Sequence, residues 1–212
     1  MKNIDFCYSE IIKSRIDGPG KRDFILLKDC PLDCAYCINK LYLKESIRLH
    51  ISSEKLISLI EKDYKMFEKY KSGISFGGGE SLLQYQQLIE FDKLFPKEFT
   101  IFIETSINID SEKFKYFLDN IDLNRFLFLI DIKDLNNEIY KKYTGISNEN
   151  VLKNLNILKE YNLQEKCQIR VPIIEKYNKL KDRRQSVKYL KDLGFKNIEI
   201  FKYDVIKYKK EV

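Results

Sequence analysis

The chain has 212 residues, of which 44% are hydrophobic and 33% are charged, and this composition is ordinary for one globular domain with a sizeable core. No apolar run approaches the length of a membrane span and the first residues lack the apolar stretch of a secretory signal, so we expect a cytoplasmic protein without a membrane partner. The net charge is +6, but lysines alternate with acidic residues through most predicted helices, and a nucleic-acid partner is therefore not expected.

Near the start of the chain, Asp17-Gly18-Pro19-Gly20 predicts a turn, because glycine relieves restrictions on φ and proline fixes one dihedral angle. Phe24 to Leu27 is a short apolar run, which predicts a buried strand of a parallel sheet. We predict a single domain over 1–212, with an N-terminal segment at 1–22, a partial barrel at 23–205 and a basic tail at 206–212.

Three cysteines follow this strand as C-x3-C-x2-C: Cys30, Cys34 and Cys37. Thiolates bind soft metals, and three sulfurs on one tight loop can reach three corners of an iron–sulfur cluster. A structural zinc site would need a fourth ligand, and no second C-x2-C pair occurs in the sequence. Two alternatives stay open: a zinc knuckle completed by Cys7, His50 or Cys167, and three ordinary buried thiols.

This loop resembles the cysteine motif of the radical S-adenosylmethionine (SAM) superfamily, whose three cysteines hold a [4Fe–4S] cluster and leave one iron for SAM. Tyr36 stands where that family places an aromatic residue, and by this resemblance we assign Tyr36 and Asn39 to the cofactor site. The turn before the strand is similar to one that glycyl-radical-enzyme activating enzymes carry close to their protein substrate. The resemblance therefore implies substrate contacts at Asp17, Gly18 and Gly20.

The next unit is a predicted helix from Ser52 or Ser53 to about Tyr70, followed by a strand at 74–76. The strand exits into Gly77-Gly78-Gly79-Glu80, where glycines let the backbone approach a ligand closely. A flexible turn with a solvated carboxylate is the alternative. In this position the segment resembles the superfamily's Gly-Gly-Glu motif, which implies that Gly78, Gly79 and Glu80 receive the amino group of SAM.

A helix over 83–95 precedes a strand at 100–103, and a helix capped near Asp110 precedes a strand at 126–130. The first of these strands exits at Glu104-Thr105 and the second at Asp131-Ile132-Lys133. Resemblance to the activating enzymes implies that Asp131 and Lys133 neighbour SAM and that Glu104, Thr105 and Asp131 bind a monovalent cation. A local ion pair at a strand end is the alternative for Asp131 and Lys133.

The last units are a helix capped by Asn148 and running to about Tyr161, a strand at 168–174, a helix at 181–193 closed by Gly194, and a strand at 197–201. Pro172 predicts that regular pairing ends at that residue. Arg170 is a charge in an apolar run, so it either contacts SAM, as the resemblance implies, or forms a structural salt bridge. We expect Cys7 and Cys167 to be buried thiols and His50 to lie on the surface.

Six βα repeats predict an α/β fold, an open partial (β/α)6 barrel whose carboxyl face gathers these polar residues. The resemblance implies an enzyme that cleaves SAM reductively and uses the resulting 5′-deoxyadenosyl radical to remove a hydrogen from a glycine of a partner glycyl-radical enzyme. A flavodoxin- or ferredoxin-type protein would supply the electron. One alternative is a small radical SAM enzyme that modifies a peptide or a nucleotide-like molecule, because the late histidine and cysteine-rich insert of many activating enzymes are missing. Another is a non-catalytic iron–sulfur or zinc docking module.

Overall fold

A computed structural model describes residues 4–16 and 18–202 of the chain. Asp17 and the basic tail predicted at 206–212 lie outside the described residues. No helix within the described part is long and apolar enough to cross a membrane.

The core of the fold is one eight-stranded sheet in the order β3-β1-β2-β4-β5-β6-β7-β8. Six of these strands, β2 and β4 to β8, run parallel to one another, which confirms the six predicted strands and the open partial barrel. The bounds are β1 Phe6–Ser14, β2 Arg22–Leu27, β3 Leu49–Ile51, β4 Gly73–Gly78, β5 Thr100–Thr105, β6 Phe126–Asp131, β7 Cys167–Ile173 and β8 Ile198–Lys202.

Strands β1 and β3 were not predicted, and both pair antiparallel at one edge of the sheet. The sequence of β1 mixes charged and apolar residues, and a register shift between Tyr8 and Glu10 interrupts the alternation that would mark a half-buried strand. The segment predicted as an N-terminal turn is therefore the connection of a hairpin between β1 and β2.

Within residues 4–16 and 18–202, eight α-helices connect or flank the strands. Their bounds are α1 Lys40–Glu45, α2 Ser53–Ile60, α3 Tyr64–Tyr70, α4 Tyr85–Leu94, α5 Ser111–Asp119, α6 Asn137–Thr144, α7 Glu149–Glu160 and α8 Leu180–Asp192. The helix predicted from Ser52 or Ser53 to Tyr70 is divided into α2 and α3 by a 3-10 turn at Glu61–Asp63.

The capping predictions have mixed outcomes. The side chains of Ser52 and Asp110 accept hydrogen bonds from the backbone of the first turns of α2 and α5, and Gly194 ends α8 with φ of +96°, as predicted. Asn148 stands at the N-cap position of α7, as predicted, but its side chain makes no capping bond, because its amide donates to the carbonyl oxygen of Leu135 at 2.9 Å. Helix α6 was missed.

Successive side chains of each strand point to opposite faces of the sheet, and this alternation decides which residues reach the site. Ile25, Phe76, Ile103 and Phe128 lie opposite one another on the convex face, where the rings of Phe76 and Phe91 pack at 5.2 Å beneath α4. Residues of the other parity line the concave face.

Toward the amino ends of the strands, the concave face carries a row of paired residues that is apolar except for one serine. The row consists of Phe24 on β2, Ser75 on β4, Phe102 on β5 and Leu127 on β6. The same parity places Asp131 opposite Arg170 at the carboxyl end of the sheet. The concave face is therefore apolar toward the amino ends of the strands and charged toward their carboxyl ends.

The prediction that regular pairing ends at Pro172 was wrong for the β8 side of β7. Pairing with β6 stops at Arg170, two residues before the proline, and pairing with β8 continues through Pro172 to Ile173. The carbonyl oxygen of Pro172 accepts a hydrogen bond from the side chain of Asn178 at 3.0 Å. Proline is tolerated because β6 has already left the ladder, so no donor is needed from Pro172.

Candidate functional site

The cysteine loop begins at the carboxyl end of β2, and its three thiols are free. Cys34 is buried, whereas Cys30 and Cys37 are partly exposed. The backbone N–H of Cys37 donates to the carbonyl oxygen of Cys34 at 3.2 Å, which makes the second half of the motif a tight turn. Burial raises the pKa of the Cys30 thiol to about 12 and that of Cys34 to about 11, so metal binding at this loop must release protons.

The stem of the loop is held by two cations. The guanidinium of Arg48 donates to both carboxylate oxygens of Asp29, at 2.8 and 2.7 Å, and the ammonium of buried Lys28 donates to the hydroxyl of Ser46 at 2.9 Å. Ser46 and Arg48 both lie on the segment between α1 and β3. These bonds therefore attach that segment to residues 28 and 29, just before the first cysteine of the loop.

The glycine segment after β4 runs directly beside this stem. The N–H of Gly79 donates to the carbonyl oxygen of Leu27 at 2.9 Å, and the N–H of Glu80 donates to that of Asp29 at 2.9 Å. A Cβ at Gly79 would lie 2.2 Å from the Asp29 oxygen, and a Cβ at Gly77 would lie 2.7 Å from the Phe24 ring. The glycines are thus required by the close approach of neighbouring groups, and Gly78 adopts φ of +90°.

Asn39 was predicted to contact the cofactor, and the structure shows what its side chain does in the protein alone. Its amide donates to the carbonyl oxygen of Gly78 at 2.9 Å. This bond joins the end of the cysteine motif to the glycine segment.

The Glu80 carboxylate is almost completely buried, with 1% of the residue exposed. One oxygen accepts from the hydroxyl of Thr105 and from the N–H of Leu82, and the other accepts from the N–H and the hydroxyl of Ser106 at 2.8 and 2.6 Å. Both oxygens are therefore engaged by protein donors, and three of the four donors belong to the exit of β5. Glu80 joins the exits of β4 and β5, and its contact with a cofactor stays a prediction.

Asp131, Lys133 and Arg170 form an ion triad at the carboxyl ends of β6 and β7. Lys133 donates to one oxygen of Asp131 at 2.8 Å and Arg170 donates to the other at 2.6 Å. Burial alone would raise the pKa of Asp131, but the charges of Lys133 and Arg170 outweigh it and hold the pKa below its ordinary value. The ion pairs expected as alternatives are present, and the triad still borders solvent because 18% of the Asp131 side chain is exposed.

The side chains of the predicted cation site do not all lie on one face of the sheet. Glu104 and Thr105 are neighbours on β5 and point to opposite faces, with the Thr105 hydroxyl bonded to Glu80. Asp131 is engaged by its two cations. The monovalent-cation site stays a prediction.

The thiols proposed to complete a zinc knuckle lie elsewhere. Cys167 opens β7 at the amino end of the sheet, opposite Phe128, and its thiol donates to the carbonyl oxygen of Leu163. Cys7 pairs with His50 across the edge strands β1 and β3. Among residues 4–16 and 18–202, no group of three or more His, Cys, Asp or Glu side chains is arranged to hold a single metal ion. Three thiols on one loop fit a cluster bound at three corners better than they fit one zinc ion.

Gly18 and Gly20 lie at the opposite end of the barrel from the cysteines, in the turn between β1 and β2. The length of β2, about 20 Å, separates the two regions. Buried Arg22 fixes the turn by donating to the carbonyl oxygen of Pro19 at 2.8 Å. A cavity of about 370 Å³ beside the turn is lined by Gly18, Pro19, Phe102 and Leu127, among others.

Several residues that support the site carry no recognisable motif. The amide of Gln84 bonds the N–H and carbonyl oxygen of Cys7 at 2.7 and 2.8 Å and the carbonyl oxygen of Lys28 at 3.3 Å. Ser106 bonds Glu80, as described above. Their partners are distant in the sequence, so only the folded chain reveals these roles.

Comparison with known proteins agrees with this geometry. The family model for the radical SAM superfamily matches residues 24–190. The chain is 29% identical over 176 residues to the 4-hydroxyphenylacetate decarboxylase activating enzyme of Clostridioides difficile strain CD196, covering 81% of this chain and 53% of that protein. It is 33% identical over 79 residues to the pyruvate formate-lyase-activating enzyme of Clostridium pasteurianum, covering 37% of this chain and 33% of that one.

Among solved structures, Streptococcus suis SuiB bound to S-adenosylmethionine is similar in fold, with a TM-score of 0.62 at 12% identity over 82% of this chain and 38% of that chain. The chain spans a third to about half of the length of the curated relatives named above.

Proposed function

The chain belongs to the radical SAM superfamily, and from this premise we propose that it is an enzyme whose Cys30, Cys34 and Cys37 hold a [4Fe–4S] cluster and which cleaves SAM reductively. When bound there, the cluster would supply the electron for reductive cleavage of SAM to methionine and a 5′-deoxyadenosyl radical, the species that would take a hydrogen atom from the substrate. The electron would come from a flavodoxin- or ferredoxin-type donor.

The observation that carries this proposal is that three free thiols share the carboxyl end of the barrel with a charged triad. Burial raises the pKa of Cys34 and the Lys133 ammonium acts against this rise, so the cation lies within electrostatic reach of the thiol. Asp131, Lys133 and Arg170 present both signs of charge beside the loop. These charges suit the ammonium and carboxylate groups of an amino acid such as the methionine part of SAM.

The glycine segment completes the binding surface from the other side of the loop. Gly78 and Gly79 hold the backbone next to the cysteine stem, with the N–H of Gly79 bonded to Leu27 and the carbonyl oxygen of Gly78 bonded to Asn39. Glu80 keeps these groups in place through its bonds to Thr105 and Ser106. Tyr36 supplies an aromatic ring next to Cys37 for stacking with the adenine of SAM.

We propose a glycine of a partner glycyl-radical enzyme as the hydrogen donor. Support comes from the activating enzyme that is 29% identical over 81% of this chain. A peptide or nucleotide-like substrate is the second candidate, because the sequence contains one histidine, His50, and lacks the late histidine of many activating enzymes.

The test begins with anaerobic reconstitution and analysis for iron and sulfide. We expect about four of each per chain, loss of the cluster in Cys34→Ala and retention of it in the matched control Cys167→Ala. Reductant and SAM should then yield 5′-deoxyadenosine. Zinc in place of iron, or intact SAM after reduction, would reject the enzyme in favour of a docking module.

The substrate is tested separately with a glycyl-radical enzyme as partner. The glycyl radical signal in electron paramagnetic resonance, together with deuterium transfer from labelled glycine to 5′-deoxyadenosine, is the expected result. Formation of 5′-deoxyadenosine without either signal would favour the second candidate.

A further inference from the structure

The middle of the cysteine loop is bonded to an element on the far side of the barrel mouth. The N–H of Asp33 donates to the carbonyl oxygen of Thr144 at 2.9 Å, and the N–H of Ala35 donates to that of Tyr143 at 3.1 Å. These carbonyl groups end α6, where no intrahelical donor is left for them. The loop follows β2 and α6 follows β6, so this contact crosses over β4 and β5.

Three tyrosine rings pack around the same contact. The ring centroids of Tyr143 and Tyr177 are 5.2 Å apart at 75°, and those of Tyr36 and Tyr177 are 6.0 Å apart at 88°. Tyr36 and Tyr143 are 6.3 Å apart. Edge-to-face aromatic pairs, such as those that Tyr177 forms with Tyr143 and Tyr36, stabilise the packing beyond the burial of their area. The rings and Ile174 bury Cys34, which has 8% of its surface exposed.

Tyr177 is itself fixed from the β7 side. Its N–H donates to the carbonyl oxygen of Ile174 at 3.0 Å, and the Lys142 ammonium lies 5.9 Å from its ring centroid. The ring thus joins the segment after β7 to the loop after β2. Because the sheet ends at β3 and β8 without closing, these contacts tie the open mouth of the barrel at the level of the thiols.

We propose that Tyr143 and Tyr177 form an aromatic clasp that positions Cys34 and Tyr36, so that the three thiols of the loop are held ready for one metal centre. The clasp rests on the proposed function, because it needs a cluster at this loop. Tyr177 is a positioning residue: it acts through Tyr36 and Tyr143, and its ring rather than its hydroxyl makes these contacts. Supporting residues around metal ligands change metal affinity by about 10–100-fold when they are removed.

The experiment compares Tyr177→Ala with Tyr177→Phe and with Tyr116→Ala, a control at a ring that is 55% exposed on α5. Each full-length protein is reconstituted anaerobically, and loss of the cluster to an iron chelator is followed by visible absorbance. We expect loss from Tyr177→Ala to be about tenfold faster than from wild type, with a broadened paramagnetic resonance signal of the reduced cluster. Tyr177→Phe should restore both readouts, and Tyr116→Ala should match wild type.

A wild-type rate and signal in a folded Tyr177→Ala would overturn the clasp and leave the proposed function intact. If Tyr177→Ala does not fold, Tyr177→Leu replaces it, and wild-type behaviour of that variant would overturn the clasp equally. A wild-type chain that binds no iron would overturn the proposed function and the clasp with it. Iron binding by the wild-type chain therefore distinguishes failure of the clasp from failure of the proposed function.

Discussion

Replacement of Glu80 by alanine should destabilise the protein even before any cofactor is bound. The carboxylate is buried and accepts four hydrogen bonds, including two from Ser106 and one from Thr105. A hydrogen bond to a charged group contributes about 1.5–3 kcal/mol, but the four bonds share one carboxylate and do not add. We expect Glu80→Ala to lose about 3–5 kcal/mol of unfolding free energy, because it leaves several buried neutral donors unsatisfied at about 1–3 kcal/mol each, and these costs add only in part.

Glu80→Gln should lose less, about 2–3 kcal/mol, because one oxygen remains while the new amide group faces donors instead of acceptors. Urea unfolding of the metal-free protein, followed by circular dichroism and compared at equal m-values, measures both changes. Glu68→Ala is the matched control, since Glu68 is exposed on α3, and it should stay within about 0.5 kcal/mol of wild type.

A double-mutant cycle with Ser106→Ala should reveal a coupling of about 1–2 kcal/mol between Glu80 and Ser106. If Glu80→Ala unfolds within about 0.5 kcal/mol of wild type, the carboxylate is not a structural acceptor. Its role would then be confined to ligand binding, as the motif alone suggests.

Three further predictions concern other parts of the fold. Arg125→Ala should cost about 3–5 kcal/mol in urea unfolding, because buried Arg125 donates to the buried carboxylate of Asp92 and its removal leaves only Lys97, 3.7 Å away and 56% exposed, as a cation for that charge. Burial raises the pKa of Asp23 to about 6, so the folded chain binds this proton more tightly than the unfolded chain, and the resulting stabilisation is complete below about pH 4 and is lost as pH rises through 6. The unfolding free energy of wild type should therefore fall by about 1–3 kcal/mol relative to that of Asp23→Asn between pH 4 and 7. A difference between the two proteins that stays constant with pH would contradict the assignment. Gly79→Ala, whose Cβ would lie 2.2 Å from a carbonyl oxygen, should destabilise the protein more than Gly145→Ala, which meets nothing within 4 Å and adds only the strain of φ at +86°, about 1–2 kcal/mol; equal losses would refute the steric argument.

The parallel part of the sheet was readable from the sequence because each of its strands is a short apolar run followed by a turn and a helix. Strand β1, which lies between β3 and β2, was not readable, since it is buried only in part and its polar residues break the pattern. Helix α6 was missed although Asn136 caps its first turn and Gly145 ends it at φ of +86°. Both signals lie in a short polar segment, where capping residues and turn residues are the same types.

The residues of the candidate site also fall into those that the sequence predicts and those that only the fold reveals. The thiols, the glycine segment and the strand-end charges were predicted because local spacing and position carry them. The donors to Glu80 come from 26 residues away, and Tyr177 reaches the cysteine loop from beyond β7. No pattern in the sequence joins such residues.

The sequence by itself determined the α/β class, the parallel order of six strands and the presence of three clustered thiols, because these depend on local periodicity and spacing. Only the tertiary structure decided that Glu80 is saturated by protein donors, that Asp131 bridges two cations, and that Tyr143 and Tyr177 meet the loop across the barrel mouth. The physical reason is that hydrogen bonds and ring contacts depend on distance in space, and the curvature of the sheet brings together strand ends that the chain keeps far apart.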